Sequence, residues 1–196
     1  METETTDAKQ RVLDVAERLF MERGYGAVTL RDISDELGMR QASLYYHFPD
    51  GKEQLFVEMA QRVFQRHHAG MMAAVDGAPD NLRAQLNAVC SWFDSQSPVN
   101  FMGMMYADMP ALNETNAHQL SEAAYQSMFD PLTRAFRAAE QRGETRSVDV
   151  NILAGSFLAL LDGITFSQTQ QSRVSRHVMS REIVDLLLDG LIYRDR

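Results

Sequence analysis

The stretch TLRDISDELGMRQASLYYHFPDGK, residues 29–52, holds two short helices and the residues that start and stop them. Thr29-Leu30-Arg31-Asp32 has the form of a capping box. In such a box the threonine hydroxyl accepts the amide three residues on, and the acidic side chain reaches back to the threonine amide. Leu30, Ile33 and Leu37 then recur at helical spacing and give the first short helix one apolar face. Gly38 ends it, because glycine takes the positive φ of a tight turn without steric cost. A second short helix is expected over residues 40–47, with Leu44 and Phe48 four apart and facing a core. Phe48-Pro49-Asp50-Gly51 reads as a turn. Asp50 and Glu53 are expected to form a second capping box at the head of a long helix.

Upstream, Val12, Leu13, Ala16, Leu19 and Phe20 mark an amphipathic helix that Gly24 and Gly26 terminate. Three short helices with a glycine between the second and third make a helix-turn-helix. The polar faces of the third helix suit a DNA groove. Ala42 is small enough for close approach, and Gln41 and Ser43 can hydrogen-bond base edges. Arg40 can pair with phosphate or with a guanine edge, while Tyr45, Tyr46 and His47 suit phosphate contacts, which position without specifying sequence. Thr29 and Lys52 stand at helix N-termini, where backbone amides favour a phosphate. The competing reading treats Tyr45, Tyr46 and Phe48 simply as core aromatics of a small bundle.

Downstream the pattern stays helical. Leu55, Phe56, Met59, Ala60, Val63 and Phe64 form the seam of a fourth helix that should reach about residue 75. Asp76-Gly77-Ala78-Pro79 breaks the chain, and Leu82, Leu86, Val89 and Phe93 define the next helix. A Met-rich segment, 101–109, is closed by Pro110. Residues 117–142 read as helical with Pro131 inside, where a kink or break is expected because an interior proline loses a hydrogen bond and clashes one turn back. Asp149 should cap a largely apolar helix running to about 170, a polar basic connector spans 172–179, and Ser180 should cap the last helix. No alternating strand pattern appears, so the fold class is all-α.

Composition narrows the function. The 196 residues carry a net charge of −8, which alone argues mildly against a nucleic-acid binder. The field at the docking face matters more, and residues 37–48 contain Arg40, His47 and no acid. One cysteine, Cys90, excludes an internal disulfide and fits a reducing cytoplasm. The opening METETTD has no apolar core for a secretory signal, and no apolar run approaches the ~20 residues that span a bilayer. No nucleophile elbow, phosphate-binding glycine loop or zinc spacing is present, and Asp32 and Asp35 read as solvated surface. No catalytic residue, metal ligand or cofactor is therefore expected.

Over residues 11–55, through AERLFMERGYGAVTLRDISDELG and SLYYHFPDGKEQLF, the chain resembles the tetracycline-repressor (TetR) family. The resemblance implies a cytoplasmic homodimer that usually represses, binds a near-palindromic operator in double-stranded DNA and is released by a small-molecule effector, with no membrane partner. It implies a DNA face of Thr29, Arg40, Gln41, Ser43, Tyr45, Tyr46, His47 and Lys52. It divides the chain into a helix-turn-helix domain, 1–53, and a ligand-binding and dimerisation domain, 54–196, with the fourth helix as connector. Arg40 departs from the family's frequent serine cap, and the Pro49-Asp50-Gly51 turn is one residue longer than the commonest form. The last two helices carry more apolar surface than one face needs, so packing across a two-fold is expected, with recognition helices about 34–36 Å apart for successive major grooves. Trp92, Phe93, Met102, Met105, Tyr106, Met109, Tyr125, Met128, Phe129 and Phe166 are candidate pocket residues, since thioethers and aromatics repack around varied ligands. Asp162, inside LALLDGITF, is the candidate orienting group or else an interface hydrogen bond, with Asp108 and His118 as weaker candidates. A structural nucleoid or cell-division protein that uses the same DNA reader without an inducer is the alternative.

Overall fold

The computed structural model describes residues 2–96, 101–169 and 174–191, and every regular element among them is helical. In order these are α1 (Glu2–Ala27), α2 (Leu30–Glu36), α3 (Gln41–His47), α4 (Lys52–Gly77), α5 (Leu82–Ser95) and α6 (Phe101–Gly103). A π-turn (Met104–Asp108) and a 3₁₀ turn (Met109–Ala111) follow, then α7 (Glu114–Gln141), α8 (Val150–Thr169) and α9 (Arg176–Leu191). The chain forms two compact units. One comprises Met1–Phe64 and Phe101–Ala124, the other Gln65–Asn100 and Tyr125–Arg196. None of the helices among the described residues is long and apolar enough to cross a membrane.

The first unit is organised by aromatic and aliphatic packing between α1 and α4. Phe20 meets Phe56 edge-on at 5.1 Å between centroids, and Tyr25 meets Phe56 at 4.9 Å. Val12, Leu13, Ala16, Leu19, Ile33, Leu44, Phe48, Leu55, Met59 and Val63 are buried with them. Around this core, ion pairs tie α4 back to α1. Arg62 meets Asp14 at 2.8 Å and Glu17 at 3.0 Å, and Lys9 meets Glu58 at 2.6 Å. In the second unit, Met71, Leu86, Val89, Leu132, Phe136, Phe157, Leu161, Val184 and Leu188 are buried.

Several helix ends differ from the sequence reading, each for a local reason. Gly24 breaks α1 with φ 77° and ψ 163°, and the residues after it regain a helical turn. Asp50 does not cap α4: Gly51, at φ 77°, takes that place, and its carbonyl accepts the Leu55 amide. The expected box does not form: Gln54 rather than Glu53 accepts the Asp50 amide at 2.9 Å, and Gly51 has no side chain for a reciprocal bond. α7 begins at an Asn113 cap, which accepts the Asn116 amide at 2.9 Å. It then runs through Pro131 as one helix, so of the expected kink or break there is no break, and Met128, Leu132, Ala135 and Phe136 are buried on either side of the proline. Asp149 accepts the Asn151 amide at 2.8 Å at the start of α8, as expected. Ser180 is not the cap of the last helix. α9 begins more than a turn earlier behind Ser175, and Ser180 lies buried inside it, donating to the Arg176 carbonyl.

Candidate nucleic-acid interface

The capping box at α2 forms as its residues require. The Asp32 amide donates to the Thr29 hydroxyl at 3.2 Å, and the Thr29 amide donates to Asp32 Oδ2 at 2.7 Å. The Thr29 hydroxyl also donates to that carboxylate, and these bonds hold the Asp32 carboxyl below the usual carboxylate range. At the other end of α2, the Gly38 amide reaches the Asp35 carbonyl and the Met39 amide reaches the Ser34 carbonyl at 3.0 Å. These two bonds make a Schellman motif, which requires a left-handed residue at its centre, and Gly38 supplies it at φ 63°. The turn between α2 and α3 is thus set by backbone chemistry.

α3 is seated by two side chains. Leu44 and Phe48 are fully buried, and the Lys9 ammonium lies 5.2 Å from the Phe48 ring centroid. The opposite surface is open. Arg40, Gln41, Ala42, Tyr45 and Tyr46 are exposed, Tyr46 at 77 %, while Ser43 and His47 are half-buried. The exposure of both tyrosines removes the core-aromatic alternative for them and keeps it for Phe48. Arg40 precedes α3 in extended conformation with no side-chain cap, so its guanidinium is not engaged in starting the helix. Elsewhere in this unit acids pair with bases away from α3: Arg18 meets Glu36 at 2.8 Å, and Arg31 meets Asp35 at 3.6 Å.

Lys52 is placed differently from a free phosphate ligand. Its ammonium donates to the Tyr25 carbonyl at 2.8 Å and the Val28 carbonyl at 2.9 Å, and lies 4.1 Å from the Tyr25 ring centroid. Burial lowers its pKa. An ammonium has three donors, so one remains for a phosphate. Glu53, released from the capping role, accepts the Asn113 amide at 2.9 Å and the Asn116 side-chain amide at 2.8 Å. These residues border a polar cleft of about 270 Å³ with Asp50, Gln54 and Glu58. Asp108 accepts the Tyr25 amide at 2.8 Å. No local pattern announces these bonds, because their partners lie 60 to 83 positions apart.

The candidate pocket residues fall into both units. In the second, the Trp92 indole donates to His67 Nδ1 at 3.3 Å, and Phe93 stacks on the same imidazole at 5.2 Å. Tyr125 stacks on Phe129 at 4.7 Å and donates to Asn151 at 2.9 Å. Met128 is buried and Asp162 half-buried. In the first unit, Met105 is half-buried, Tyr106 exposed and Met109 buried, its sulfur accepting the Ser121 hydroxyl at 3.3 Å. The side chains of Met102 and Phe166 lie outside the described residues. His118 is exposed beside Glu122. Among the described residues no group of three or more His, Cys, Asp or Glu is placed to hold a metal.

Comparison with known proteins agrees with this geometry. Residues 12–59 match the family described as bacterial regulatory proteins, tetR family. The chain is similar to the HTH-type transcriptional regulator LmrA of Bacillus subtilis, 29 % identical over 189 residues, covering 92 % of this chain and 97 % of LmrA. It is similar to the negative transcriptional regulator IcaR of the Staphylococcus epidermidis biofilm operon, 41 % identical over 56 residues, covering 29 % of this chain and 30 % of IcaR. A transcriptional regulator from Saccharomonospora viridis, solved in complex with choline, shares the fold with a TM-score of 0.76 at 24 % identity, over 96 % of this chain and 100 % of that one. With its capped α2, Schellman turn and exposed α3, the segment 12–59 is a helix-turn-helix of the tetR family of bacterial regulatory proteins.

Proposed function

We propose that the protein is a cytoplasmic homodimeric repressor that holds a near-palindromic operator through α3 and is released by a small apolar or amphipathic ligand. The observation that carries the reading is the exposed, acid-free surface of α3, fixed from beneath by Leu44 and Phe48. On it, Gln41, Ser43 and Arg40 read base edges, while Tyr45, Tyr46, His47, Thr29 and the remaining Lys52 donor contact phosphate. Residues 1–53 carry this reader, and 54–196 carry ligand binding and dimerisation. Ile152, Val178 and Leu186 support the dimer, being 65 %, 46 % and 70 % exposed on α8 and α9. Repression is supported by the likeness to IcaR, a negative regulator.

Release by ligand is supported by the aromatic pairs of the second unit and by the choline-bound relative of the same fold. Aromatic faces attract quaternary ammonium groups through the ring quadrupole, which makes choline the first probe. The test is selection from a random-sequence duplex pool at physiological salt, then gel shift with and without choline and a panel of small amphipathic molecules. Enrichment of a near-palindrome, weakened by one of these molecules, is the expected result. A pool that stays unenriched would sink the reading. Enrichment that no small molecule reverses would favour an architectural role.

A further inference from the structure

The DNA reader is gripped at its entry by a residue 83 positions away in the sequence. Asp108 is the last residue of the π-turn Met104–Asp108, in which the Met109 amide reaches back to the Met104 carbonyl. A π-turn is wider than an α-turn and, over five residues, rotates the succeeding side chains by about a quarter turn relative to an α-helix. Single π-turns inside helices cluster at functional positions. Here the turn presents the Asp108 carboxylate to the backbone break in α1. Oδ1 accepts the Tyr25 amide at 2.8 Å and lies 3.2 Å from where a Cβ on Gly24 would stand. Gly24 therefore serves both the positive φ and the close approach of the carboxylate.

The loop held in this way leads directly into the reader. Tyr25 and Val28 precede Thr29, the cap of α2, and their carbonyls both accept from the ammonium of Lys52, the first residue of α4. The segment containing α2 and α3 thus has its two ends tied to each other through Lys52. Asp108 ties that closure to the π-turn. Burial raises the Asp108 carboxyl pKa, while the Tyr25 amide and the Lys52 charge oppose the rise, so the carboxylate is stabilised by the groups it holds.

We infer that Asp108 is a positioning residue for DNA binding: by holding the Tyr25 amide and attracting Lys52 it sets the entry to α2 and the start of α4, and with them the presentation of α3. The inference rests on α3 being the DNA reader. The test compares wild type, Asp108→Leu, which keeps similar volume without an acceptor, and Asp108→Asn, which keeps an acceptor for the amide. Asp108→Ala replaces the leucine variant if that chain does not fold. The probe is a duplex enriched by the wild type from a random pool, with amide exchange at Tyr25 and the thermal midpoint measured alongside.

The expected result is that Asp108→Leu binds the duplex about tenfold more weakly, the effect of losing one hydrogen bond to a charged group. Its Tyr25 amide exchanges faster, and the thermal midpoint falls by only a few degrees, as expected for one lost bond. Asp108→Asn recovers most of both the affinity and the protection. Wild-type affinity in Asp108→Leu despite an unprotected Tyr25 overturns the inference. So does a loss of binding in both variants that tracks their loss of thermal stability. A wild-type protein that enriches no duplex overturns the reading of α3 itself, whereas wild-type binding indifferent to Asp108 overturns this inference alone.

Discussion

Gln41 and Tyr46 stand exposed on the same helix and should fail in different ways when truncated. A glutamine amide can pair with an adenine edge, so Gln41→Ala should relax preference at one base position, at a cost of about 1–3 kcal/mol for the matched base only. A phenol that touches phosphate carries no sequence information, so Tyr46→Ala should weaken all duplexes alike. Competition among duplexes that differ by single base changes separates the two, and equal losses everywhere for Gln41→Ala would remove it from the base readers. Cys90 illustrates the opposite environment. It is buried against α9, and burial, aided by the Asp94 charge, pushes its thiol up to about 12. The folded protein therefore keeps the proton at pH values where the unfolded chain loses it. The associated stability is present below the ordinary thiol pKa and is lost as pH rises toward the folded value. Only the thiolate is nucleophilic, so Cys90 should resist iodoacetamide at about pH 8 in the native protein and react readily in denaturant. Equal rates in the two states would show that the burial is wrong.

At the scale of elements, α4 and the last turn of α5 meet through a glycine and the single tryptophan. A Cβ on Gly70 would collide with Trp92 at Cε2 of the indole. Gly70→Ala must therefore push the indole away and disturb its bond to His67. Overpacking of this kind costs about 1–3 kcal/mol, to be read as a lowered thermal midpoint with a shifted Trp92 emission. Unchanged emission would mean that the indole does not rest on α4. Helix ends show what local sequence can and cannot specify. The Thr29 box and the Gly38 turn were legible because every group they need lies within a few residues. The α4 cap was misread by one residue, since Gly51 takes the left-handed conformation and Gln54 competes successfully with Glu53 for the Asp50 amide. Pro131 was expected to kink or break α7; the helix is not broken there, since burial of the neighbouring turns offsets the one lost hydrogen bond.

For the whole molecule, the proposed dimer makes the sharpest demand, since a near-palindrome is read by two recognition helices related by a two-fold. Replacing both Ile152 and Leu186 by Asp places charge on exposed apolar positions of α8 and α9, so the monomer should survive while association fails. Sedimentation should show a monomer, and operator binding should drop sharply. A variant that keeps dimer mass would put the interface elsewhere. Residues 29–52 by themselves determined the helix-turn-helix, its glycine turn, and the division of α3 into a seat of Leu44 and Phe48 and an outward polar face. Those features rest on helical periodicity and bonds between near neighbours in the chain, which local sequence encodes. Tertiary structure alone decided that Lys52 faces the Tyr25 and Val28 carbonyls, that Glu53 clasps Asn113 and Asn116, and that Asp108 holds the Tyr25 amide. Each of these bonds joins residues far apart in the chain, and their partners become identifiable only when packing brings the helices together.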